Sequence, residues 1–224
     1  AGCGAGRFSD ELAQCGARVV ACDLSSAVDA CKETIDDPTR HSPNRGDVAV
    51  IQANLLMMPF RNNIFDAIHC AGVIQHTPDP NTVMRALPKR LKSGGRLFYN
   101  FYEVDPLSKF QIIKYLLRRW TPQWRMETLV KFSRIMCILF FTPSWIMSRI
   151  PGVRFFNRFL PICSVHPVGL PLNQQFELTL LDTVDWYGPQ YEIRQDHKNV
   201  SALLLEEGLS EVESNEGLAW AIKH

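Results

Sequence analysis

A-G-C-G-A-G-R-F-S, Ala1 to Ser9, followed by V-V-A-C-D ending at Asp23, decides how this chain folds. Three glycines, Gly2, Gly4 and Gly6, surround Cys3 and open onto an apolar periodicity that predicts a helix from Arg7 to Gly16. Phe8, Leu12 and Ala13 share one face of that helix, and Gly16 is its left-handed stop. Glycine has no Cβ, so backbone N–H groups can approach a ligand closely, and a helix N-terminus faces the same spot. Arg18 to Cys22 reads as a short buried strand, and Asp23 follows Gly6 by 17 residues. An acid at such a strand tip can accept hydrogen bonds from both hydroxyls of a ribose. These pieces make half of a nucleoside-binding site. A glycine loop of this kind needs an apolar strand before it to aim it. The chain begins inside the loop, so the sheet is expected to lack its first strand, as in a fragment.

Working outward, Ser25 or Ser26 caps a second helix reaching about Thr34, and Asp36 to Asp47 is a polar surface loop. Strands are expected at Val48 to Gln52 and Ile64 to Ala71. Asp79 supplies an N-cap and Pro80 the first position of a helix through Leu91, kinked in its last turn by Pro88. Ser93-Gly94-Gly95 turns the chain into a strand from Arg96 to Tyr102. Asp196 caps a helix closed by Gly208, and strands Ser210 to Ser214 and Leu218 to Ile222 are joined by Asn215-Glu216-Gly217. Strands alternating with helices and ending in a hairpin predict an α/β fold. It is a doubly wound, mostly parallel Rossmann-like sheet with a C-terminal antiparallel hairpin and an inserted helical cap.

The 224 residues are 46% apolar with a net charge of +1, enough for one domain with an insert and without the basic excess of a nucleic-acid binder. Seven cysteines, none in a C-x-x-C pair and most within apolar runs, fit a reducing cytoplasm and argue against a zinc site, so no metal is expected. The stretch from Pro106 to Val165 breaks the alternation. It holds ten Lys or Arg residues and one acid, Glu127, a local charge of +9 against −8 for the rest. Phe110, Ile113, Leu117 and Trp120 mark one helix, Thr121-Pro122 starts a second to Phe141, and Thr142-Pro143 a third that stops at Pro151-Gly152. Ile135 to Ser148 is uncharged, but at 14 residues and broken by Pro143 it is too short to cross a bilayer. The insert reads as a basic lid, with peripheral contact to anionic lipid as the sharper reading.

With these pieces placed, the chain resembles the class I S-adenosylmethionine-dependent methyltransferases of the small-molecule type. Four segments carry the resemblance: G-C-G-A-G, V-V-A-C-D, N-I-F-D-A-I-H-C-A-G-V-I-Q-H-T-P-D-P and L-K-S-G-G-R-L-F. It implies S-adenosylmethionine as cofactor, with Gly2, Cys3, Gly4 and Gly6 cradling its amino-acid end and Asp23 binding the ribose. Leu24 would pack on the adenine, Asn54 and Leu55 would stand beside the adenine amine, and Gly72 and Val73 would line the methionine end. The implied division is 1–105 with 176–224 as the cofactor domain and 106–175 as an inserted cap. Two departures stand out: the acid that ends the family's first strand would precede Ala1, and Ser93 replaces the proline of the usual K-P-G-G loop.

For catalysis, His76 lies after the fourth strand of the implied fold, where open α/β sheets bind ligands, and is a general-base candidate against a structural role in the T-P-D-P turn. Asp185 and Tyr187, in D-T-V-D-W-Y-G-P-Q-Y, could orient an acceptor or merely seal the insert onto the sheet. Asp66 reads as structural, bonded to backbone donors in its turn; His197 as a surface residue; and His166 has no visible partner. The expected activity is methyl transfer to a small or amphipathic, lipid-like acceptor, with oligomeric state open. The alternatives are a truncated, non-catalytic cofactor-binding domain and an NAD-dependent oxidoreductase. The latter is disfavoured by a G-C-G-A-G loop in place of G-x-G-x-x-G and by the lack of a Tyr-x-x-x-Lys pair.

Overall fold

In a computed structural model, residues 1–166 and 169–224 are described. They group into two compact units, residues 1–104 with 191–224 and residues 105–190. The sequence reading drew the boundary at 175/176, but helix α6 (Leu172–Tyr187) groups with the insert rather than with the sheet.

In the first unit, α1 (Arg7–Gln14) leads to β1 (Val19–Asp23), α2 (Ala27–Asp36) and β2 (Val48–Gln52). Strands β1 and β2 pair in parallel with Val19 opposite Val48. Strand β3 (Phe65–Ala71) is followed by α3 (Pro80–Ala86) and β4 (Leu91–Asn100), again parallel. The chain returns after the insert as α7 (His197–Glu206), β5 (Leu209–Asn215) and β6 (Leu218–Lys223). The hairpin β5–β6 is antiparallel and joins the sheet through β4, giving the order β3-β4-β6-β5. Ser93-Gly94-Gly95 proves to be a bulge within β4, between the pairings Phe65–Leu91 and Ala67–Arg96, with Gly94 at φ 75°. Asp79 accepts from Thr82 N–H as the cap of α3, which ends at Ala86, and Pro88 opens a separate 3-10 turn. One buried cluster, including Leu87, Leu97, Tyr99, Leu203 and Leu204, fastens α3 and α7 to this sheet, and the Tyr99 hydroxyl donates to Met84 O at 2.9 Å.

The two sheets are separate: β1 pairs with β2, β3 with β4, and the facing edges of β1 and β3 are unpaired among the described residues. A cavity of about 920 Å³ runs between them, lined by Val20, Ile68, His69, Phe8 and Leu12 among others. On the expected apolar face of α1, Ala13 is buried, and Phe8 and Leu12 line the cavity at 46% and 40% exposure. Helix α1 also buries Asp10, which ion-pairs with Arg40 and Arg45 at 3.2 and 3.3 Å.

The second unit contains α4 (Ile112–Leu117), α5 (Met126–Arg149) and α6. Pro122 lies in a 3-10 turn, not at a helix start, and α5 runs unbroken through Pro143 for 24 residues. Pro143 is exposed, so its ring needs no room in the packed face, although its position still lacks one backbone donor. By length and composition α5 is therefore long and apolar enough to cross a membrane, which revises the exclusion based on a break at Pro143.

Candidate functional site

The glycine loop is held from both sides of the cleft. Gly2 N–H and Cys3 N–H donate to Cys22 O at 2.7 and 2.9 Å, while the Ala1 ammonium donates to His69 O at 2.7 Å. All three glycines have positive φ, but their surroundings differ. A Cβ on Gly2 would stand 2.1 Å from Val73 Cγ2, and one on Gly6 would stand 2.8 Å from Cys31 Sγ. These two glycines permit close packing of the loop onto the turn after β3 and onto α2. Gly4, at φ 50°, has nothing within 4 Å of its Cβ position, so its backbone faces open space.

Asp23 ends β1 beneath that loop. Its Oδ2 accepts from Gly4 N–H at 2.9 Å, and its Oδ1 accepts from Ser25 N–H and Ser25 Oγ at 2.9 and 2.8 Å. A carboxylate has about four acceptor positions, so this one can still receive hydroxyl donors from a ribose. Leu24 beside it is 64% exposed, free to pack on an aromatic base, and its carbonyl is fixed by Gln52 Nε2 at 2.9 Å. Gly72, at φ 71° with nothing within 4 Å of its Cβ position, offers a second open stretch of backbone. Cys3 is neutral, its thiol pushed up to about 12 by burial and then by the neighbouring Cys31. A neutral thiol suits a packing role in the cradle better than a nucleophilic one.

Other expected contacts change. Asn54 Oδ1 accepts from Leu56 N–H at 2.9 Å as the cap of a 3-10 turn, so its oxygen already has a backbone donor. Leu55 is buried in the main core and does not face the open loop. Val73 packs against that core and against Gly2. His76 stays at the sheet's ligand end, where its Nδ1 lies 3.0 Å from Tyr191 O and its ring stands edge-on to Tyr102. A carbonyl can only accept, so Nδ1 carries the hydrogen and Nε2 of the neutral ring is the basic nitrogen.

Asp185 and Tyr187 belong to α6 in the second unit, apart from the unit that carries the loop. Tyr187 is fully buried there, its hydroxyl donating to Pro161 O at 2.9 Å and its ring edge-on to Phe132. This side chain holds its own unit together and has no exposed group to offer an acceptor. Asp66 is exposed and pairs with Lys92 at 2.8 Å, not with backbone donors as expected; that hydrogen bond holds its carboxyl below the usual range. His197 Nδ1 lies 3.2 Å from Glu103 Oε1, and Glu103 also accepts from His197 N–H and Gly217 N–H. His166 has a partner after all, Asp182 at 3.5 Å.

This arrangement fits the comparisons with known proteins. Residues 1–99 match the family described as methyltransferase domain. The chain has a class I methyltransferase fold. A ubiquinone biosynthesis O-methyltransferase of Xanthomonas axonopodis pv. citri is 35% identical over 108 residues, 47% of this chain and 42% of that protein. The like-named protein of Nitrosomonas europaea is 31% identical over 120 residues, 52% of this chain and 49% of its own length. The chain thus spans less than half the length of these relatives. Among solved structures, a Methanosarcina mazei SAM-dependent methyltransferase aligns over 99% of this chain and 87% of its own, with TM-score 0.52 and 16% identity. Magnesium protoporphyrin IX methyltransferase of Synechocystis PCC 6803, with bound SAH, aligns over 100% and 72%, with TM-score 0.51 and 14% identity. At these identities the structural likeness concerns the fold, and the case for the cofactor rests on the open Gly4 backbone and the Asp23 carboxylate.

Gly4→Ala should weaken S-adenosylhomocysteine binding about tenfold or more in calorimetric titration while costing only ~1–2 kcal/mol of stability from the positive φ. Gly2→Ala should instead unfold the protein at clearly lower temperature, because its Cβ collides with Val73. Asp23→Asn should lose about 10- to 150-fold in affinity, the worth of hydrogen bonds to a charged acceptor.

Proposed function

We propose that this protein transfers a methyl group from S-adenosylmethionine to a hydroxyl oxygen of a small amphipathic, lipid-like acceptor. The single observation that carries the first half is the clasp between Gly4 N–H and the Asp23 carboxylate, with open space over Gly4 and an exposed Leu24 beside it. When bound, the sulfonium cofactor supplies an activated methyl carbon for in-line attack. The glycine loop would let it approach the open backbone at Gly4, and Asp23 would grip the sugar through its remaining acceptor positions. Fixing two reactants in line contributes about 7–11 kcal/mol toward the barrier. His76 Nε2, left as the basic nitrogen by the Nδ1–H to Tyr191 O, is buried in this conformation and takes the proton from an acceptor hydroxyl once its ring turns toward the acceptor. Transfer to oxygen is supported by the relatives' names, ubiquinone biosynthesis O-methyltransferases.

The amphipathic acceptor is supported by α5. One stripe of this helix, Ile135, Ile138, Leu139 and Ile146, is 48–65% exposed, and Lys131 and Arg149 close the stripe at either end. Apolar side chains flanked by cations suit the boundary of an anionic bilayer, where about 1 kcal/mol per basic residue adds to apolar insertion. The opposite face of α5, with Leu129, Ser133, Cys137 and Ser144, is buried in its own unit. We read α5 as lying on lipid, giving the enzyme access to an acceptor that partitions there.

The test is methyl release from labelled cofactor with a panel of phenols bearing short and long alkyl tails. Turnover that rises with tail length is expected; cofactor binding without turnover on any hydroxyl acceptor would sink the reading. His76→Gln should cost about 10²–10⁴ in kcat with S-adenosylhomocysteine affinity unchanged. In vesicle co-sedimentation, Lys131→Ala with Arg149→Ala should weaken binding to anionic liposomes by roughly 30-fold. Neutral liposomes should show no such difference.

A further inference from the structure

Cys163, His166 and Asp182 converge in the helical unit, and no step proposed above uses them. Their ligand atoms, a thiol sulfur, an imidazole nitrogen and a carboxylate oxygen, lie within 4.8 Å of one another. Cys163 and His166 sit on the segment after the 3-10 turn Val153–Phe159, and Asp182 projects from α6. That segment is pinned on two sides. Cys163 N–H donates to Thr183 Oγ1 at 3.0 Å and Val165 N–H to Ser144 Oγ at 3.1 Å, fixing it to α6 and α5. The Cys163 side chain is largely buried, whereas His166 is about half exposed and leaves one side open to solvent.

We propose that Cys163, His166 and Asp182 form a binding site for Zn²⁺, with a fourth coordination position open to water. The donor set chooses the metal: thiolate and imidazole favour zinc, whereas magnesium and calcium require oxygen ligands. Three protein ligands and one open position is a recurrent zinc arrangement. Donors on a tetrahedral zinc stand roughly 3.4–3.6 Å apart, given bonds of about 2.0–2.3 Å. His166 Nε2 and Asp182 Oδ2 already stand 3.5 Å apart. Rotation of the exposed imidazole and the carboxylate toward the sulfur closes the rest.

The local charge agrees. Burial holds the Cys163 thiol well above its ordinary range, with Asp182 and Asp185 acting the same way and Lys114 opposing them. A divalent cation would stabilise the thiolate against that cost and neutralise the acids. On binding, the Cys163 S–H bond breaks, its proton leaves to solvent, and the thiolate sulfur donates an electron pair to Zn²⁺, with no change of oxidation state. The spacing behind this site is Cys-x-x-His with an acid 16 residues after the histidine, which a search for paired cysteines passes over.

The test uses the whole chain, stripped of metal by chelation and titrated with Zn²⁺ against a chromophoric chelator, then with Co²⁺ as a spectroscopic substitute. One equivalent of zinc should bind, and Co²⁺ should give a thiolate-to-metal charge-transfer band that disappears in Cys163→Ser. His166→Ala, at an exposed side chain that can be removed without opening the core, should weaken Zn²⁺ by about tenfold or more with an unchanged circular dichroism spectrum. Asp182→Asn should behave likewise. Failure of the folded wild-type chain to hold zinc, persistence of the cobalt band in Cys163→Ser, or wild-type affinity in folded His166→Ala would each overturn the site and leave His166–Asp182 as a plain ion pair. Binding of S-adenosylhomocysteine, measured in parallel, reports on the methyltransferase reading independently.

Discussion

Three residues of backbone hold the first unit in register. The ammonium of Ala1 is bonded to the carbonyl of His69 on β3, and the amides of Gly2 and Cys3 share the carbonyl of Cys22 on β1. Between these two points the facing strand edges have no partner among the described residues, and a cleft of about 920 Å³ separates them. The same contacts therefore do two things. They tie the β1–β2 pair to the four-stranded sheet, and they aim the Gly2–Gly6 loop at the end of the sheet where Asp23 and His76 stand.

Within that loop the glycines divide the work. Gly2 and Gly6 are required by neighbours that leave no room for a Cβ, Val73 on one side and Cys31 on the other. Gly4 has no such neighbour: its amide is bonded to Asp23, and the space where a side chain would stand is open. A site built this way spends little reorganisation on binding, since donor and carboxylate are aligned before a ligand arrives. Acceptor chemistry is assigned by different means. His76 has its tautomer set by one backbone carbonyl, so its contribution depends on the position of Tyr191 as much as on its own.

Much of the first unit was legible in the sequence because its signals are local. The glycine run, the acid after V-V-A-C, the Asp79-Pro80 cap and the Asn215-Glu216-Gly217 hairpin each act over a few residues. Elements that depend on distant partners were read less well. Phe8 and Leu12 share a helical face by period, but period alone does not say how far they are buried, and they stand half exposed along the cavity. Tyr187 and Asp185 looked like acceptor-facing residues because acids and aromatics cluster around them, yet α6 groups with the insert and takes Tyr187 into its interior. Pro143 signalled a break, and the signal failed because its ring lies on the exposed side of a long helix. The meeting of Cys163 and His166 with Asp182 is a tertiary fact with no period or cap to announce it.

Helix α5 makes the strongest physical case for the proposed lipid contact because large aliphatic side chains stand on its exposed face while two serines lie on its buried one. An ordinary surface helix buries apolar residues and shows polar ones to water. Here Ser133 and Ser144 are fully buried, Ser144 accepting from Val165 N–H, while Ile135, Ile138, Leu139 and Ile146 are outermost. Small hydroxyls on the packed face let neighbouring backbone approach closely, as they do between helices in bilayers. Leaving four large aliphatic side chains in water forfeits several kcal/mol that burial would return, at roughly 1.5–3 kcal/mol each. A bilayer boundary, as proposed above, would recover that energy, with Lys131 and Arg149 placed at either end of the stripe. A protein partner would recover it too. The local excess of basic residues around α5, set against an acidic remainder, favours an anionic surface over a neutral one.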